Sequence, residues 1–514
     1  MIGRATASLF QNSLIPVTSD IRNQLEALYP PLKAPLPPRS ENSPVIVISP
    51  ADVVATFKAL PRLRAPDYAG WTKELILPLL DDPLIVAALA TLLRLIVNGF
   101  QHDRFQELIT AGKTFIARKS SGKGFRPLSV RSVFLKAAET FVLRHLSPAL
   151  TRHFLGFPHV MQFGVGAKGG VEGVVHLIQA FTDISRLAGG DNVVIEVDAA
   201  DAFNQISRSS ILKQLNFPQF SLLRGIANLL LRGSTPSFLM GFDHITQREG
   251  VSQGGATSTA FFGLGLHPAL TATAQKFDMV RILAYVDNIF LLGPFAQTTE
   301  AVDFLSNELA SCGLRYKEAP KVFWCSGPPK IDPEVKSRDA NSAFVTDYLP
   351  ILGSVVGTDE VAKSDFVRQK VTSFAQGFQL IRNEHVSAQA ALLMLSRCLS
   401  FRMNYILRTL PPSVTLEAAR AFDKLLLSVF VSKLDLETQI NGPATRQCFV
   451  PLRRGGLGLR SAVCCAAPAY VGSIALAVPD ILSLPGFDPK ISSYRNIKSI
   501  LADQTALFGG LGSS

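Results

Sequence analysis

The chain has 514 residues, 47% hydrophobic and 18% charged, a balance that suits a buried core and excludes a disordered chain. It exceeds the roughly 250–300 residues over which one core keeps growing, so two to four compact units are expected. Lys and Arg number 51 against 40 Asp and Glu, and the net charge of +11 favours a polyanionic partner, nucleic acid before a membrane surface.

The N-terminus, "MIGRATASLFQNSLIP", is acid-poor but has a single Arg and no sustained amphipathic pattern, which argues against a transit peptide. A short helix is expected at about 19–29. Residues 30–44, dense in proline, should then be extended and exposed, separating that helix from the main body. "SPADVVATFKALPRL" predicts a helix opening at Ser49 with Pro50 in its first position. "APDYAGW" at 65–71 reads as a turn, and helical pattern follows to about 110. Within it, Leu75 to Phe100 is the most lipid-like stretch. Asp81, Asp82, Arg94, Pro78 and Pro83 break it, so buried helices are expected and no membrane span.

Short apolar runs broken by glycine predict a basic hairpin or loop between 113 and 135. Residues 136–183 read as helical around a Gly-rich break, "QFGVGAKGG". "NVVIEVDAA" at 192–200 is a β-branched strand, and a helix is expected from about 208 to 232. "GFDHITQREGV" at 241–251 suggests a hairpin leading to a helix entered through glycines. "VRILAYVDNIFLLG" at 280–293 reads as strand, turn, strand, with a helix at about 297–312. Long helical patterns dominate from 360, with a loop at 451–462.

Two acids hold the chemical interest. Asp198 ends the strand "VVIEV", and Asp287 sits at the turn between "ILAYV" and "IFLLG". Burying one unpaired carboxylate costs several kcal/mol, and a second beside it adds repulsion. A divalent cation with hard oxygen ligands, typically magnesium, resolves this. Two such ions about 3.5–4 Å apart serve phosphoryl transfer. Phe203 follows Asp198 by five residues. "GVSQGGATS" at 250–258 is a glycine-rich helix entrance that lets backbone approach a nucleotide closely. Lys119, Lys123 and Arg126 are available for a triphosphate.

In order and spacing these segments resemble the polymerase domain of reverse transcriptases, closest to those of non-LTR retrotransposons. "DAADAFNQISR", "GVSQGGATS" and "AYVDN" are similar to the three central motifs. "APDYAGW", "RPLSV", "QFGVG", "CGLRYKEAPK" (312–321), "ILGSVVG" (351–357), "MNYILRTLPP" (403–412) and "RRGGLGLRSA" (453–462) fall in the family's order, so the resemblance covers about 50–460. It implies an α+β right-hand polymerase: fingers, a palm whose antiparallel sheet carries the acids, and a helical thumb. The expected division is 1–48 N-terminal extension with its Pro-rich linker, 49–190 fingers, 191–358 palm interleaved with fingers, 359–440 thumb and 441–514 C-terminal helical extension.

The resemblance further implies an RNA-directed DNA polymerase adding dNTPs to a DNA or RNA primer on an RNA template, with two Mg²⁺ ions, or Mn²⁺ in their place. Asp198, Asp287 and the carbonyl of Ala199 would hold the metals, Phe203 would crowd a 2′-hydroxyl, and Gln253 and Gly254 would line the site beneath template and primer. Arg126 and Lys119 would bind the triphosphate, and Lys321 would stand near the leaving phosphates, although its spacing from Gly313 is one residue long. Asp201 reads as a surface or helix-start acid. Asn288 stands where the family carries a second Asp. Asn retains a carbonyl oxygen that could support the metals, and it also suits a hairpin turn because it tolerates positive φ. A catalytically degenerate nucleic-acid-binding protein and an RNA-dependent RNA polymerase therefore stay open, although Phe203 argues against the second. No recognisable endonuclease, RNase H acids or zinc knuckle occurs, so nuclease activity is expected from outside this chain. The cysteines, at 312, 325, 398, 448, 464 and 465, form no CxxC pair and the histidines are not spaced as ligands. No structural zinc is expected, and a reducing compartment, nuclear or cytoplasmic, is.

Overall fold

The computed structural model describes residues 15–39, 43–119, 124–157, 159–239, 242–326, 343–345, 348–435 and 442–484. Twelve strands are described: β1 (Gly112–Arg118), β2 (Phe125–Arg131), β3 (Val160–Gln162), β4 (Asn192–Asp198), β5 (Thr235–Leu239), β6 (Phe242–Gln247), β7 (Arg281–Tyr285), β8 (Asn288–Pro294), β9 (Lys321–Trp324), β10 (Ala343–Val345), β11 (Leu349–Ile351) and β12 (Ser354–Val356). They form a six-stranded sheet in the order β10-β9-β4-β8-β7-β3, a four-stranded sheet β2-β1-β5-β6 and the pair β11-β12. The centre of the large sheet is antiparallel as expected, but its outer strands β3 and β10 pair in parallel.

Both faces of the six-stranded sheet are buried, which is why its strands read as near-continuous apolar runs. Val193, Ile195 and Val197 of β4 join the core that includes Phe262 and Leu266 of the Ser258–Lys276 helix. Val194, Leu283, Phe290 and Leu292 pack on the other side with Val174 and Ile178 of the Gly170–Ala188 helix. Beyond Glu360 the described residues are mainly helical and have their own core, in which Phe378, Phe422, Leu426 and Leu395 are buried. The helix Ala462–Leu482 is long and apolar enough to cross a membrane. Here Tyr470, Ser473, Ile474, Ala477 and Ile481 are buried, and Ser473 Oγ lies 2.9 Å from Nε2 of His176 on the Gly170–Ala188 helix.

Local signals account for the elements that match expectation. Ser49 and Asp52 form a reciprocal capping box on Pro50–Ala59, with Pro at the first position. Four expectations are corrected. The helix foreseen at 208–232 is three pieces, Arg208–Gln214, Pro218–Leu223 and Arg224–Leu231, because Pro218 has no N–H to continue the ladder and disfavours helix at Phe217. A strand, β3, precedes the Gly-rich break in 136–183 and meets it at Gln162; it is too short to show a period. The 241–251 hairpin begins earlier, at β5, whose Pro236 sits near the strand start where a proline is tolerated. Residues 30–39 are extended and largely exposed, yet they are no free spacer. Lys33 Nζ donates to the carbonyls of Gln205 and Gly313 at 2.9 and 2.8 Å, Lys33 N donates to Glu249, and the Pro35 and Pro37 carbonyls accept from Ser209 and Arg232.

Candidate active site

The β4–β8 register places Asp198 opposite Asn288, and the β7–β8 turn consists of Val286 and Asp287. Ala199 N donates to the Asp287 carbonyl at 3.3 Å, tying the end of β4 to that turn. The two acids therefore arrive, one from the end of β4 and one from the β7–β8 turn, at one cavity of about 110 Å³, which Lys119, Arg126, Ala199, Phe203 and Gln253 also line.

The turn is strained. Val286 has φ 59°, a region a β-branched residue occupies at a cost of about 1–3 kcal/mol. The positive φ foreseen for Asn288 belongs to Val286 instead; Asn288 is the first residue of β8, facing Asp198 across the ladder. Gln162 holds the strained residue from both sides. Its Oε1 accepts from Val286 N at 2.8 Å and its Nε2 donates to the Val286 carbonyl at 3.1 Å. Gly164 N donates to the same Oε1 at 2.9 Å, and a Cβ on Gly164 would stand 2.7 Å from Val286 Cγ2. "QFGVG" and "YVDN", over 120 residues apart, thus fit as one unit.

Electrostatics follow from burial. Desolvation pushes the Asp287 carboxyl above its usual range and Asp198 pushes it the same way, with Arg126 and Lys317 opposing. Lys317 Nζ donates to Asp198 Oδ2 at 2.9 Å, and this hydrogen bond raises the lysine. Hence Lys317, not Lys321, is the lysine at the acids. Lys321 lies opposite Glu196 on β9 and pairs with its carboxylate at 3.0 Å, one strand repeat back from Asp198. The extra residue in the spacing from Gly313 was the signal: Lys317 stands four residues after that glycine, in the segment that bridges Ala199 through Tyr316.

Phe203 is half-buried, its ring stacked on Phe262 at 5.1 Å between centroids and 4° between planes. Asp201 stands at the start of the Ala202–Gln205 helix with φ 45°, and Lys119 Nζ reaches its carboxylate at 3.4 Å, as a helix-start acid. Lys123 lies outside the described residues. Gln253 accepts from Ser129 N through its carbonyl at 2.9 Å and points Nε2 toward Asn204 at 3.4 Å. Gly254 is placed differently from expectation. A Cβ there would stand 2.1 Å from the Ser129 carbonyl, so its small size serves close packing on β2, and it lines a separate cavity with Trp71, Asp67 and Lys136. Buried Glu139 holds the end of this segment, accepting from Thr257 Oγ1 at 2.6 Å and from Ala256 N. Leu28 of the N-terminal helix, which carried no sequence signal, also lines the acid cavity.

Residues 117–334 match the family model for reverse transcriptase (RNA-dependent DNA polymerase). They form a reverse transcriptase domain. It begins in β1 and contains both acids, the Gln162 clamp and Lys317. Over 341 residues, 61% of this chain, the protein is 28% identical to the retrotransposable element SLACS 132 kDa protein of Trypanosoma brucei gambiense, and the match spans 28% of that relative's length. The alignment with this retrotransposon protein reaches beyond residues 117–334.

Proposed function

We propose that this chain is an RNA-directed DNA polymerase that adds deoxynucleotides to a primer 3′-hydroxyl on an RNA template. The observation that carries the reading is the meeting of Asp198, at the end of β4, and Asp287, in the β7–β8 turn, in one cavity with Phe203, Arg126, Lys119 and Lys317. In this reading the four-stranded sheet and its helices are fingers within 49–190, interleaved with a palm at 191–358 built on the six-stranded sheet. The helices of 359–440 are the thumb, 441–514 is a C-terminal extension and 1–48 an N-terminal one.

The donor set fits divalent metal. Two carboxylates with a carbonyl nearby are hard oxygen ligands, and the Lys317 ammonium on Asp198 marks a position that already draws a cation. Asp198, Asp287 and the Ala199 carbonyl would hold two Mg²⁺ or Mn²⁺ ions, which when bound neutralise charge on the transferring phosphoryl group. Arg126 and Lys119 bind the triphosphate, and Lys317 is placed to meet the leaving phosphates. The Phe203 ring, fixed by Phe262, crowds a 2′-hydroxyl and so selects deoxynucleotides. Template and primer reach the acids over Gln253.

Extension of a primer on an RNA template, with Mg²⁺ or Mn²⁺ and either dNTPs or NTPs, tests this. We expect dNTP incorporation, and a loss of about 10³-fold or more in Asp287→Asn, since the metals contribute several kcal/mol to charge stabilisation. Salt-sensitive binding without extension would defeat the proposal, and NTP incorporation alone would assign an RNA polymerase.

A further inference from the structure

A cavity of about 540 Å³ opens far along the chain from the reverse transcriptase domain, between the Ala388–Arg397 helix, Phe401 and the loop 449–461 that carries "RRGGLGLRS". Its size falls in the range of roughly 300–1,000 Å³ common to sites for small ligands. The floor is apolar, from Phe401, Phe449, Leu452 and Leu459, and the rim carries Arg397, Arg453 and Arg460. Phe401 is 40% exposed, and Arg397, Arg453 and Arg460 are exposed as well.

The charge around it is one-sided. The cavity lining contains three arginines, no lysine, and no Asp or Glu. Asp423, which reaches this end of the Ala462–Leu482 helix, is taken up by the Ser461 hydroxyl at 2.6 Å and by the N–H groups of Ala462 and Val463. Those capped N–H groups have nothing left for an anion, so an anion here must be met by arginine side chains. Arginine in place of lysine adds a flat fork that grips phosphate oxygens and stacks on rings. Arg460 already lies over Phe401, its guanidinium carbon 5.3 Å from the ring centroid.

We propose that this cavity is a second nucleic-acid site, one that takes a splayed nucleotide of a single strand. The base stacks on Phe401 over the apolar floor, and the flanking phosphates lie among Arg397, Arg453 and Arg460. A duplex keeps its bases inside and cannot fill such a floor, whereas an unpaired base can. The site lies outside residues 117–334, so it stands whether or not the polymerase reading holds.

Fluorescence anisotropy of a labelled 15-nucleotide oligouridine on the full chain tests it, with excess unlabelled hairpin primer–template present to fill the polymerase cleft. We expect the oligonucleotide to stay bound. Arg397→Gln/Arg453→Gln should weaken it about tenfold or more, and reduce the slope of log affinity on log salt by about 1.4, some 0.7 per phosphate contact on a single strand. Phe401→Leu should weaken binding several-fold and Phe401→Tyr should restore it. Photocrosslinks from 4-thiouridine at 396–402 or 449–465 support the site independently of any variant's folding, which melting curves check. Displacement by the hairpin, equal competition by a duplex of the same length, unchanged binding in the double variant, or crosslinks confined to 117–334 would each overturn it.

Discussion

Residues 117–334 and the helical region beyond Glu360 use buried charge to different ends. In the first, ionisable groups are buried to shape backbone around a cavity. Arg208, fully buried, donates to the carbonyls of Gly250 at 3.0 Å and Gly233 at 2.7 Å while its N–H meets Glu249, and Glu139 fixes the Thr257 turn. In the second, Asp423 caps one helix, Lys363 bonds the Gly357 carbonyl, and the remaining stability comes from rings such as Phe378 and Phe422, 5.7 Å apart. The difference shows where each region can be damaged. A lost polar contact in the first should misplace an acid and cost rate, whereas in the second it should cost stability.

The sharpest division is between two lysines four residues apart. Lys317→Ala should lower the extension rate by about 10², because it removes a proton donor and cation at the acids. Lys321→Ala, which frees Glu196 at the neighbouring position, should leave the rate within about twofold. Single-turnover extension rates separate them, and equal losses would erase the distinction drawn from the β9 register. Next in size is Gln162→Leu. Without the clamp the strained Val286 turn relaxes and Asp287 shifts, a misplacement worth about 10- to 10²-fold in rate with little change in nucleotide KM. Val286→Gly accepts positive φ without strain, so the pair Gln162→Leu/Val286→Gly should recover part of that loss. No recovery would mean that Gln162 acts other than through the turn. Smaller again is Asn288→Asp. A carboxylate opposite Asp198 should lower the Mg²⁺ concentration for half-maximal rate by about threefold, while lowering the melting temperature in metal-free buffer through like-charge repulsion.

These sites also show what a sequence can carry. That Asp198, Asp287 and Phe203 share one cavity was legible because each sits at a fixed spacing from a strand pattern that survives as apolar runs. Lys321 was expected nearest the acids, but Lys317 contacts Asp198, because the placement depends on the register of β9 against β4, which spacing hints at without fixing. Gln162 stood in a quoted motif with no role assigned, since its partner Val286 is 124 residues away. Gly254 followed the motif and yet serves packing on Ser129. The docking of residues 30–39 through Lys33 and Glu249, 216 residues apart, had no local signal at all. The helices beyond Glu360 could be read as helices, but their partners could not, because apolar periodicity marks a face without naming what covers it.

The two regions meet where the Ala462–Leu482 helix lies on Gly170–Ala188, and His176 makes that contact titratable. Burial pulls its imidazole down to about 4, while the Arg408 backbone and Glu172 oppose weakly, and Ser473 Oγ lies 2.9 Å from Nε2. His267, also pulled down to about 4 by burial, adds a second such group inside the reverse transcriptase domain. A histidine whose folded value lies below its unfolded value of about 6.5 favours the folded state most above that value. The contribution falls as pH drops from about 6.5 through about 4, by about 3 kcal/mol for His176 when the ring charges. At neutral pH nothing should change in His176→Gln, which can still bond Ser473. Below pH 6 this variant should melt higher, relative to its own neutral value, than the unaltered protein does. Amide exchange should also locate the acid loosening: in the unaltered protein the Ala462–Leu482 helix opens first, and in His176→Gln that helix holds to lower pH. Acid loosening that begins in β4 and β8 instead would place the weak point in the sheet and remove His176 as the hinge between the two regions.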